Sequence, residues 1–112
     1  MKKIEAIIRP DKLSAVLVAL GKIGYAGVSV TEIQGHGKQK GVMQQWQGDE
    51  VRIALLPKVK IEIIAQDVDA DIITGTIVET AKTSEVGDGK IFISPVSDVV
   101  RIRTGEQGVA AI

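Results

Sequence analysis

Twice along this 112-residue chain the spacing of apolar side chains switches from every second residue to every third or fourth. Ile4, Ala6 and Ile8 alternate with Lys3, Glu5 and Ile7, so Lys2 to Arg9 reads as a strand. Pro10 and Asp11 then open a helix whose apolar positions Leu13, Val16, Leu17, Leu20 and Ile23 share one face, with Gly24 as its stop. A second strand covers Val28 to Gln34, with Val28 and Val30 on one side. Gly35 to Gly48 shows almost no periodicity and reads as a long loop, a length usually reserved for function. A strand resumes near Val51 and runs, interrupted at Pro57, to Ala65. Asp67 to Ser84 is a second helix, with Val68, Ile72, Ile73, Ile77 and Ala81 at helical spacing and Asp67 or Asp69 as cap. Gly75 and the β-branched residues around it oppose this helix, so tertiary packing must carry it. Ile91 to Pro95 is the fourth core strand, Val99 to Arg103 a short fifth, and Thr104 to Ile112 a tail or arm.

The order strand, helix, strand, loop, strand, helix, strand is the ferredoxin-like βαββαβ plan, an α+β sandwich with both helices on one face of an antiparallel sheet. Residues 1–112 form one domain. Only Tyr25, Trp46 and Phe92 are aromatic, so the core must be aliphatic. The chain itself leaves the second sheet face uncovered. Isoleucine and valine occupy many of the strand positions, which predicts an oligomer with sheets facing inward.

Fourteen basic side chains balance fourteen acidic ones, which argues against a nucleic-acid partner. An RNA-binding module of this plan would expose aromatics on its strands, and only Phe92 falls on one. The absence of cysteine excludes disulfides and thiolate metal sites. No apolar run approaches the roughly 20 residues of a membrane span. The charged start is no signal peptide, so a soluble cytoplasmic protein without membrane insertion is expected.

The chemistry concentrates in Val86-Gly87-Asp88-Gly89-Lys90. Two glycines around Asp88 let the backbone turn sharply and expose N–H groups to one point, and Lys90 adds a charge. If residues 99–103 form a strand, Arg101 and Arg103 project to the same side while Val100 and Ile102 face in. Together these groups point to phosphate. An ordinary helix-to-strand turn and a solvated edge strand remain the plainer alternative. The turn is no Walker A loop: Ser84 stands where that motif needs glycine, and Ile91 follows the lysine. Lys58, Lys60 and Glu62 alternate on the third strand, and Lys58 at the loop root can clamp an anion. In the loop, Gln39 offers a carbonyl oxygen for hydrated Mg²⁺ and Lys40 a charge. Trp46 reads as a recognition anchor for a partner. His36 has no companions for a metal site or a triad, and no nucleophile or base is evident.

Over essentially its whole length the chain resembles the PII signal-transduction family of nitrogen-regulatory trimers. The resemblance is carried by Lys2 to Pro10, Lys12-Leu13, Val30-Thr31-Glu32, Gln39-Lys40-Gly41 and Leu56 to Glu62, then by Val86 to Phe92 and Arg101 to Glu106. It implies a homotrimer and clefts between subunits that bind ATP or ADP competitively. It makes residues 37–55 the family's T-loop and 104–112 a C-terminal tail. Positions matching the nucleotide contacts are Ser29, Gly35, Lys38, Gln39, Glu62, Ile64, Gly87, Asp88, Gly89, Lys90, Arg101 and Arg103, the last two reaching a neighbouring subunit's site. Arg9, Gln39, Lys40, Gly41 and Lys58 match positions that serve 2-oxoglutarate, with Gln39 at the Mg²⁺ shared with ATP. The T-loop departs from common members. Val51 stands at the modified tyrosine, Asp49 at a phosphorylated serine, and Gln47 at the arginine that plugs ammonium channels. Uridylylation is therefore not expected. The tip Val42, Met43, Gln45, Trp46 and Gln47 would meet a different membrane transporter or a metabolic enzyme, recruiting the protein to the membrane in the first case. Two rivals stand beside a nitrogen sensor: a pure ATP/ADP energy sensor for a non-ammonium transporter, and a small ferredoxin-like enzyme acting on nucleotide or acyl phosphates.

Overall fold

The computed structural model describes residues 1–25, 27–35, 44–46, 50–52 and 55–112. Six strands are β1 (Lys2–Ile8), β2 (Ser29–Gly35), β3 (Gln44–Trp46), β4 (Glu50–Arg52), β5 (Leu56–Ala65) and β6 (Lys90–Pro95). Two helices, α1 (Leu13–Lys22) and α2 (Ala70–Ala81), are each entered through a single 3₁₀ turn, Pro10–Lys12 and Asp67–Asp69. The main sheet runs β2-β5-β1-β6 with every pair antiparallel, which is the ferredoxin-like order.

Register sorts the side chains. Ile4 faces Ile63 and Ile93, Ala6 faces Ile61 and Ile91, and Ile8 faces Val59, all toward the helices. Val16 and Leu20 of α1 and Ile73 and Ile77 of α2 close the layer, each essentially solvent-free. The core is aliphatic, as the composition requires. The α1 stop is a Schellman motif: Gly24 has φ +95°, its N–H donates to Gly21 O, and Tyr25 N–H donates to Leu20 O. In α2 the hydroxyls of Thr74, Thr76 and Thr80 donate to the carbonyls four residues earlier at 2.7–2.8 Å, so β-branched residues sit in a helix without stray donors.

Several expectations are corrected. Val68 and Ile72 are 83% and 55% exposed, so the buried face of α2 is Ala70, Ile73, Ile77 and Ala81. The helix ends at Ala81, where Lys82 turns to extended backbone. Neither Asp67 nor Asp69 caps it by side chain: Asp67 pairs with the N-terminal amine at 3.0 Å, and Asp69 accepts from the Tyr25 hydroxyl. Pro57 does not interrupt its strand. It lies in β5 beyond the last β1 pair at Val59, where one edge is open and a missing N–H is tolerated. The stretch read as a featureless loop carries the antiparallel pair β3–β4, which also puts Trp46 on a strand, as Phe92 is.

The uncovered sheet face is not dominated by isoleucine and valine. Lys3, Glu5, Lys60 and Glu62 lattice across it, with Lys3–Glu62 at 2.9 Å and Lys60–Glu62 at 3.4 Å. Those ion pairs raise the Lys3 pKa and lower that of Glu62. No fifth strand forms at 99–103. Residues 102–104 turn, Val100 makes one isolated bridge to Gln107, and the chain folds back until Ala111 is buried. Residues 104–112 are thus a closed hook and not a loose arm. Among the described residues no helix is long and apolar enough to cross a membrane.

Candidate functional site

The end of the sheet where β1 and β5 meet the start of β6 gathers the cations. Lys90 opens β6 opposite Ile7, which is opposite Lys60 on its other side, and Lys58 sits one pleat further along the same face. Gly87 and Gly89 both hold positive φ, +102° and +103°. At Gly89 a further reason excludes any side chain: a Cβ there would lie 1.7 Å from the Ile7 carbonyl oxygen. The turn is therefore pressed against the β1 backbone.

Asp88 organises that turn from within. Its Oδ2 accepts from the N–H groups of Thr83 at 2.8 Å and Ser84 at 2.9 Å. Its Oδ1 accepts from the Thr83 hydroxyl and from Arg9 Nε at 3.0 Å. These donors, the Thr83 hydroxyl foremost, hold the carboxyl well below the usual carboxylate range. Arg9 also donates through Nη2 to Val86 O at 2.9 Å, and Lys58 Nζ donates to Gly87 O at 2.5 Å. Partial burial, then the neighbouring Arg9, push the Lys58 pKa down, and Asp88 pulls it back. Arg9 thus bonds the carboxylate, Lys58 bonds the turn's backbone, and Lys90 follows the turn at the start of β6.

Two clefts border this end. One of about 260 Å³ lies between α2 and β6 under the turn, lined by Ile77, Val78, Ala81, Asp88, Gly89 and Ile91 among others. The other, about 450 Å³, is lined by Pro10, Glu32, Ile33, Gln34, Pro57, Lys58 and Val59. Gly35 adjoins Lys58: a Cβ there would come within 3.3 Å of Lys58 Cγ, so the glycine leaves room for the lysine stem.

The structure brings together Arg9, Gly35, Lys58, Gly87, Asp88, Gly89 and Lys90. Ser29, Glu62 and Ile64 lie on the same outer face, but Glu62 is four residues along β5 from Lys58, about 13 Å. Ser29 and Glu62 are direct cross-strand partners, and Ile64 stands beside Lys3. The arginine pair does not project as a same-side pair from a strand. Arg101 Nη1 is held at 2.7 Å by Glu106 and its Nη2 donates to Ala110 O, inside the C-terminal hook. Arg103 is exposed, as are Val100 and Ile102, which were expected to face inward. Lys38, Gln39, Lys40, Gly41, Val42, Met43 and Gln47 lie outside the described residues, and Gln45 and Trp46 fall on β3. Among the described residues no group of three His, Cys, Asp or Glu side chains could hold a metal ion. Sequence reasoning missed Thr83 and Ser84, whose N–H groups anchor Asp88. Their only signal was a Thr-Ser pair just after a helix, a common place for such turns.

The family model described as "Nitrogen regulatory protein P-II" matches residues 1–106. Nitrogen regulatory protein P-II 2 of Methanothermobacter thermautotrophicus is 54% identical over all of this chain and 97% of its own length. Nitrogen regulatory protein P-II 1 of Escherichia coli K12 is 51% identical, and Nitrogen regulatory protein P-II of Microchaete diplosiphon 49%, each over the full length of both chains. None of these names describes an enzyme. The chain belongs to the P-II family and is a regulatory protein.

Proposed function

We propose that this P-II family chain works as a homotrimeric nitrogen-regulatory signalling protein that binds ATP and ADP competitively and reports the outcome through residues 37–55. One observation carries the reading. The Gly87–Lys90 turn is a two-glycine nest ringed by Arg9, Lys58 and Lys90, with its only carboxylate already consumed by internal donors. A polyphosphate would lie there while the nucleoside runs along the outer face toward Ser29, Glu62 and Ile64. Arg101 and Arg103 would come from a neighbouring subunit, which fits the absence of any contact between them and the turn among the described residues. The half-exposed Phe92 on that face offers apolar surface to a neighbour.

The mechanism is a population shift. ATP and ADP share one site, and a partner reads one loop state, so the response equals the difference in affinity of each nucleotide for the two states. Lys58, bonded to the turn and standing at the loop root, is the residue through which phosphate state reaches the loop. 2-Oxoglutarate with Mg²⁺ would join ATP near Arg9, Lys58 and residues 39–41. Replacement of the expected Arg and Tyr by Gln47 and Val51 favours a partner other than an ammonium channel, a different transporter or a metabolic enzyme.

Calorimetric titration of ATP and ADP with Mg²⁺, with and without 2-oxoglutarate, tests this. 2-Oxoglutarate binding only alongside Mg-ATP gives a carbon and nitrogen sensor. Nucleotides without 2-oxoglutarate give an energy sensor. No binding of either nucleotide sinks the proposal.

A further inference from the structure

Arg9 and Lys58 invite a simple assignment as phosphate ligands, because both are cations beside the turn. Their hydrogen bonds argue otherwise. Arg9 Nη2 donates to the carbonyl of Val86, and Lys58 Nζ to the carbonyl of Gly87. These carbonyls belong to the two peptide units whose N–H groups are those of Gly87 and Asp88. In a trans peptide the C=O and N–H of one unit point in opposite directions. A cation that holds the carbonyl therefore turns the N–H away from itself. Among the described residues no backbone group accepts from the N–H of Gly87 or Gly89, while the turn at residues 86–87 directs the Asp88 N–H toward the Glu85 carbonyl. Glycine at positive φ offers little resistance to rotation of these units, so the turn needs something to fix them.

We propose that Arg9 and Lys58 are positioning residues that clamp the two peptide units from behind, with Asp88 as the anchor that holds Arg9 in place. The reading rests on the nucleotide assignment above and deepens it. The Arg9 fork spans two acceptors from a fixed plane, Asp88 Oδ1 through Nε and Val86 O through Nη2. Asp88 is in turn fixed by Thr83 and Ser84, so the chain of bonds runs from the end of α2 through Asp88 and Arg9 to the peptide group that meets phosphate. Preorganised N–H groups bind charge without reorienting on arrival, which is the advantage such a clamp confers.

The clamp and plain electrostatics predict opposite signs for one substitution. Asp88→Asn removes a negative charge beside bound phosphates, which by charge alone should tighten ATP. If Asp88 anchors the clamp, the same change loosens Arg9 and weakens ATP by about tenfold, the scale of one charge-assisted hydrogen bond. The experiment titrates ATP and adenosine into full-length wild type, Asp88→Asn and Thr83→Val. Thr83→Val removes an anchor of Asp88 without changing charge and should weaken ATP in the same direction. Adenosine, lacking phosphate, should bind all three alike, whereas general damage to the fold would lower both ligands together. ATP affinity equal to or above wild type in Asp88→Asn, with a cooperative thermal transition retained, overturns the clamp. Where Asp88→Asn does not fold, unchanged ATP affinity in Thr83→Val overturns it. Failure of the wild type itself to bind ATP removes the nucleotide reading and the clamp with it, a result distinct from a loss confined to the variants.

Discussion

Gly89 and Gly24 are both glycines at positive φ, +103° and +95°, yet alanine should be tolerated very differently at the two. A Cβ on Gly24 would have nothing within 4 Å of it, so Gly24→Ala meets only the backbone preference. That preference costs about 1–3 kcal/mol. At Gly89 the same preference applies, and the Cβ also meets Ile7 O at 1.7 Å and Ile7 C at 2.8 Å. These are backbone atoms of the strand next to β6, so no rotamer change relieves the contact. The gap must open beyond 3.0 Å, and the start of the β1–β6 ladder, where Ile7 pairs with Lys90, gives way. Loss of one or two ladder bonds at about 1 kcal/mol each brings Gly89→Ala to about 2–5 kcal/mol in all. At about 4 °C per kcal/mol, Tm should fall by about 8–20 °C for Gly89→Ala and by about 4–12 °C for Gly24→Ala, with the Gly89 loss the larger of the two. Urea unfolding and thermal melts at one fixed protein concentration measure both, since oligomerisation makes stability concentration-dependent. Equal losses in the two variants would refute the steric reasoning.

Ile73→Ala, at a fully buried position, should cost about 2–5 kcal/mol in chemical denaturation, whereas Ile72→Ala, at a half-exposed one, should cost far less. Similar losses would mean that the buried face of α2 is misassigned. The Asp88 carboxyl has a folded pKa below its unfolded value, so its stabilisation is present above pH about 4 and is lost as pH falls further. The acid limb of a stability–pH curve should flatten in Asp88→Asn. Tyr25 shows the reverse sign. Burial, then its bond to Asp69, push its pKa up to about 12, so its stabilisation is complete below pH 10 and drains away between about pH 10 and 12. Phenolate absorbance should titrate near that value, and an ordinary Tyr25 titration would contradict this assignment.

The fold was legible in the patterning of the chain. Period-two and period-3.6 stretches in alternation give the order of strands and helices and the apolar faces of β1 and α1, which pack into one core. The sharp turn at residues 86–90 was legible too, because two glycines flanking an acid next to a lysine leave a compositional trace. What the side chains there do emerged only from the folded molecule. Arg9 and Asp88 are 79 residues apart, and no local pattern shows that one holds the other. Nor does the local sequence around Asp88 show that its carboxylate accepts from Thr83 and Ser84 within the turn. Arg101 looked like a strand arginine and belongs to a hook closed by Glu106. The same limit misled the reading of α2, where Ile72 and Ile73 are equally apolar and only the position of the sheet decides which is buried. Local periodicity encodes which residues avoid water. The partner of a polar group is set by which distant strands become neighbours, and that is known only once the chain has folded.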